Sequence, residues 1–111
     1  MVRAGAVDVI AQLGDREASQ LLWQKLYARE NFKGQQSLFI RRRIVEVLAK
    51  LDAEKVEKSY VEVLADRDET LHPVAIQALE KMTKQKLGKE REPIKFKRAY
   101  WQQWWKKKQT L

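Results

Sequence analysis

Three stretches of the chain overlay without a gap: "VRAGAVDVIAQL" from Val2, "IRRRIVEVLAKL" from Ile40 and "LHPVAIQALEKM" from Leu71. Their apolar residues share columns. Val2, Ile40 and Leu71 form the first, Ala6, Ile44 and Ala75 the second, and Val7, Val45 and Ile76 the third. Ile10, Leu48 and Leu79 follow, then Leu13, Leu51 and Met82. The spacing i, i+4, i+5, i+8, i+11 is one face of an α-helix. A fainter set, Ala18, Leu22, Trp23 and Leu26, returns 38 residues later as Val56, Tyr60, Val61 and Leu64. The three main copies start 38 and 31 residues apart, within the range of two-helix repeats. Each repeat is therefore read as two antiparallel helices.

These periods predict six helices, over residues 2–13, 16–28, 38–51, 53–65, 70–86 and 96–108. Gly14 is placed to end the first helix in a left-handed turn, and Asp15 and Asp52 to accept the free amides that open the next ones. Pro73 falls in the first turn of the fifth helix, where its missing N–H costs little. No segment alternates with period two, so strands are not expected.

The motifs resemble HEAT repeats. The best match, "LADRDETLHPVAIQALEKM" from Leu64, is similar to a turn with an aspartate, then Val-Arg, then alanine and leucine on the second helix. Asp66 takes the aspartate place and His72 the arginine place, which Arg3 and Arg41 retain in the other copies. The end, "AYWQQWWKKKQ" from Ala99, resembles the Trp-rich helix that closes bacterial HEAT-like arrays. The resemblance implies an all-α fold, a short right-handed α-solenoid of antiparallel helix pairs. It would hold about two and a half repeats and a C-terminal helix. Residues 1–88 would be the array and residues 89–111 the basic capping helix. It also implies that Arg3, Arg41, His72 and Asp66 form a ladder linking each turn to the next helix. The first copy lacks a preceding helix, which suggests a piece of a longer array or an apolar edge open to self-association.

Charge is uneven. Residues 1–83 carry 13 Lys/Arg against 13 Asp/Glu, whereas residues 84–111 carry 10 against 2, so the net +8 resides in the last quarter. There Lys95, Lys97, Arg98, Lys106, Lys107 and Lys108 flank Tyr100, Trp101, Trp104 and Trp105. Such a mixture suits phosphates and unpaired bases, or an anionic membrane surface. The spacing of Trp101, Trp104 and Trp105 at i, i+3, i+4 equally predicts one apolar face closing the last repeat. Arg42 and Arg43 replace the small Ala4 and Gly5 of the first copy, and with Lys33 in the long connection "ARENFKGQQS" (28–37) they are candidate partner contacts.

The chain has no cysteine, which removes disulfide and thiol chemistry. A stretch interrupted by Asp8 argues against a signal peptide, no run reaches the ~20 apolar residues of a membrane span, and a cytoplasmic location is expected. Neither a nucleophile with its base, a phosphate-cradling glycine loop nor a metal-ligand cluster is recognisable, so no catalytic, cofactor-binding or metal-binding residue is assigned. The expectation is a non-catalytic module that binds a protein partner, with weak nucleic-acid binding through the basic end as the alternative.

Overall fold

In the second and third copies four of the five repeated columns are buried, whereas the last, Leu51 and Met82, is half-buried. A computed structural model of the protein describes residues 15–51 and 57–110, with side chains from Glu17 onward. Among them are five α-helices: α1 (Asp15–Leu26), α2 (Ile40–Leu51), α3 (Glu57–Val63), α4 (His72–Thr83) and α5 (Ile94–Gln109). They fall into two compact units, Met1–Lys55 and Val56–Leu111.

In the first unit α1 packs against α2. Ala18, Leu22 and Leu26 of α1 are fully buried, and α2 contributes Ile40, Ile44, Val45, Val47 and Leu48. In the second unit α4 packs on α3, and α5 packs on both. Its core holds Tyr60, Val63, Leu64, Leu71, Ala75, Ile76, Ala78, Leu79 and Trp101. The buried positions at the start of the two copies are the same, 31 residues apart, and include a column the sequence reading omitted, Val47 and Ala78. Arg41 and His72 also correspond and are also buried, at 0% and 2% exposure.

Helix ends differ from expectation by a few residues. The fifth predicted helix stops at Thr83, because Lys84 takes the left-handed conformation at φ 55° and closes it. A short 3-10 turn, Glu69–Leu71, precedes this helix, and Pro73 lies in its first turn.

The absence of strands is corrected. Phe32–Lys33 and Gln36–Ser37 pair antiparallel, Phe32 with Ser37 and Lys33 with Gln36. Two-residue strands are too short to show alternation. Their turn depends on Gly34, whose φ of 63° at the first central position is what a tight hairpin turn of this kind requires.

Helix 2–13, Gly14, the Asp15 side chain, Asp52 and Arg3 lie outside the described residues. The same holds for the N-terminal edge expected to self-associate.

Candidate functional site

Two surfaces hold the residues singled out in the sequence. The first surrounds the start of α2. An α-helix leaves its last carbonyls without intrahelical partners, and at the end of α1 the side chains of Asn31 and Arg41 supply them. Asn31 Nδ2 donates to the Lys25 carbonyl, and Arg41 Nε donates to the Leu26 carbonyl at 2.8 Å. Arg41 Nη1 also donates to Ser37 Oγ at 2.9 Å on the second strand. The same guanidinium lies 4.3 Å from the Phe32 ring centroid and 5.8 Å from that of Tyr27. One buried cation thus joins the end of α1, the hairpin and the start of α2. Its planar, multi-donor head suits such a junction better than a lysine would.

On this braced base stands Phe39, 67% exposed, the most exposed of the large apolar side chains among the described residues. Arg42 and Arg43 follow at i+3 and i+4, hence on the same side of the helix. Glu46 faces both, at 3.2 Å from Arg42 and 3.9 Å from Arg43. Lys33 is exposed on the first strand.

In the second unit His72 stands where Arg41 stands in the first. Its Nε2 lies 2.8 Å from the Asp66 carbonyl, and because a carbonyl only accepts, Nε2 carries the hydrogen. The Asp66 and Asp68 carboxylates turn inward on the chain itself. Asp66 Oδ1 accepts from the Asp68 amide, and Asp68 Oδ1 from the Thr70 amide and hydroxyl, the bonding by which aspartates shape turns.

The second surface lies on α5. Trp101 is fully buried, whereas Trp104 and Trp105 are half-buried, so the three tryptophans do not share one fate. Trp101 meets Trp104 edge-on, with centroids 5.1 Å apart. Lys108 lies over Trp104 and Trp105, at 5.1 and 6.0 Å from their centroids, and pairs with the Glu57 carboxylate of α3. Lys97 donates to the Glu90 carbonyl at 2.9 Å. Lys106 and Lys107 are exposed, and Arg98 is half-buried.

Beside these residues is an open groove of about 320 Å³, lined by Leu87, Gly88, Tyr100, Gln103, Trp104 and Lys107. Gly88 has φ 79°, and a Cβ built on it would lie 2.6 Å from the Tyr100 ring, so only glycine lets the loop approach the helix this closely. The Tyr100 hydroxyl donates to Glu92 Oε2 at 2.7 Å, and Glu92 Oε1 accepts from the Lys89 amide at 2.8 Å. That amide first, and the tyrosine hydroxyl second, hold the Glu92 carboxyl below the usual carboxylate range. The bond to Glu92 in turn raises the Tyr100 phenol above its usual range.

Phe39, Glu46 and the groove were not singled out in the sequence. Glu46 was recoverable from its i+4 and i+3 spacing to Arg42 and Arg43. Phe39 was visible as an aromatic residue just outside the apolar columns. The groove had no comparable signal, because it is made by two segments meeting.

Among the described residues no group of three or more His, Cys, Asp or Glu could hold a metal ion, and no helix is long and apolar enough to cross a membrane. Comparison with protein-family models, curated proteins and solved structures gave no match.

Proposed function

We propose that the protein is a non-catalytic, protein-binding module of HEAT-repeat type, and that it engages its partner through the start of α2. The observation that carries this reading is Phe39: a large apolar side chain two-thirds exposed, next to two arginines, on a junction braced by a buried guanidinium. Isolated exposed apolar residues are ordinary, but one that precedes two arginines by three and four residues, at a helix start that Arg41 ties to the end of α1, has the make-up of an interface anchor. The partner would offer an apolar pocket or side chain with carboxylates around it. The equal spacing of buried positions in α2 and α4 supports the repeat class.

The test uses the native-length protein as bait. A partner captured by the unaltered protein is lost when Phe39→Ala or the pair Arg42→Glu and Arg43→Glu is introduced, with the melting temperature unchanged. Full retention of that partner by both variants overturns the assignment of this surface.

The charge asymmetry favours a second reading, in which the basic C-terminal quarter binds nucleic acid. Each neutralised phosphate then contributes roughly −0.7 to −0.9 to the log-log salt slope of affinity. Weak, sequence-indifferent binding that disappears at physiological salt is the expectation, and tight binding under those conditions would place this reading first.

A further inference from the structure

The groove on α5 has the properties of a preformed binding site, and nothing in the reading of α2 uses it. One wall is a stripe along a single helix face: Tyr100, Gln103 and Lys107 follow one another at intervals of three and four residues, with Trp104 alongside. The other wall is the Leu87–Gly88 loop. Three links fix this loop to the helix: the seating of the Tyr100 ring on Gly88, the Tyr100–Glu92 hydrogen bond and the Lys97–Glu90 hydrogen bond. A groove held open in advance avoids much of the ordering cost of binding.

Its volume of about 320 Å³ lies at the low end for ligand pockets, a size that suits one large side chain better than an extended cofactor. Its floor is aromatic and aliphatic. Two polar side chains border it, Gln103 and Lys107, and neither makes a hydrogen bond or ion pair through its side chain to another described residue. Around it, residues 84–111 carry 10 cationic side chains against 2 anionic ones. A second copy of the same face would be repelled, while an acidic segment would be drawn in.

A nucleic-acid strand is the less suitable occupant. Lys108 already lies over Trp104 at 5.1 Å while bound to Glu57. One of the two rings in the groove that a base would stack on is thus covered, and one of the lysines a phosphate would need is committed. An apolar side chain entering the groove edge needs no open ring face.

We infer that this groove takes a single large apolar side chain from an acidic segment of a partner protein, with Lys107 and Gln103 contacting the flanking carboxylates. The inference rests on the protein-binding reading for the class of partner and on an independent surface for its location.

The experiment is an NMR titration of the full chain with an acetylated Asp-Glu-Phe-Glu-Asp peptide. Controls are the same peptide with alanine for phenylalanine, and a short oligothymidylate. The phenylalanine peptide should move the Gly88 amide and the Trp104 indole while leaving the Trp23 indole in place. The alanine peptide should bind at least about ten-fold more weakly. Lys107→Glu, an exposed change that leaves the fold intact, should weaken the phenylalanine peptide about five-fold or more. Equal affinity for the two peptides, no response to millimolar peptide, or tighter binding of the oligothymidylate at the same resonances would each overturn the inference. Failure here, with partner capture still lost by the α2 variants, removes the groove and leaves the protein-binding reading standing. The reverse outcome removes the α2 surface alone.

Discussion

The two units bury the same positions at the start of α2 and of α4 and brace them differently. In the first, Arg41 spans 15 residues back to the Leu26 carbonyl and reaches a hairpin on the way. In the second, His72 reaches only six residues back, to Asp66, across a turn that Asp66 and Asp68 already shape. A longer connection needs a longer side chain with more donors, whereas a short one needs only a ring nitrogen. The difference teaches that one repeat position can perform one task, satisfying the carbonyls that precede the second helix, with quite different chemistry. Among the described residues the second unit also has what the first lacks, a third helix whose Trp101 enters the core.

Trp101 gives the widest predicted separation between the units. Trp101→Ala should cost about 3–5 kcal/mol, and hydrogen exchange should show the largest loss in α3, α4 and α5, the helices of its own unit. Trp101→Phe should cost much less, because the indole N–H has no hydrogen-bond partner among the described residues and its removal leaves nothing there unpaired. Equal loss of protection in both units would erase the distinction drawn here.

Arg41 and His72 test the bracing itself. Arg41→Ala leaves the Leu26 carbonyl and the Phe32 ring without their partner and should cost about 2–4 kcal/mol. His72→Ala removes one hydrogen bond and should cost about 1–2 kcal/mol. Denaturant midpoints would check the order, and a larger effect at His72 would reverse the argument.

The smallest effect is confined to the second unit and depends on pH. Because Glu92 titrates below the ordinary value of about 4.3 in the folded protein, its contribution is present above that value and is lost as pH falls through the lowered one. Tyr100 is shifted upward, so its contribution is present below about pH 10 and disappears as pH rises through the raised value. The carbon-bound ring resonances of Tyr100, followed across pH, should move at both extremes, at low pH as Glu92 takes up its proton and at high pH as the phenol loses its own.

How much of this was readable in the sequence follows from the range of each interaction. Ile44 and Ala75, or Leu48 and Leu79, announce themselves because a helix face imposes a period on neighbouring residues. The correspondence of Arg41 and His72 was visible for the same reason, but their acceptors were not, since these depend on where the previous helix ends. The hairpin at Phe32–Ser37 left only Gly34 as a trace. Tyr100 and Gly88 meet twelve residues apart across a loop, and no periodic pattern encodes such a contact. The tryptophan triplet shows the limit most clearly: Trp101, Trp104 and Trp105 share a helical spacing, yet only Trp101 points fully inward.

That unequal placement makes the protein its own optical gauge. An indole sealed from water and without a hydrogen-bond acceptor emits at shorter wavelength than one in contact with solvent, and a soluble quencher such as iodide cannot reach it. Trp101 should therefore supply a blue, quencher-resistant share of the emission. Trp104 and Trp105, together with the half-buried Trp23 of α1, should supply a redder share that iodide removes, and with Trp23 replaced by phenylalanine a change confined to that share would report events at the outer face of α5 while the core stays silent.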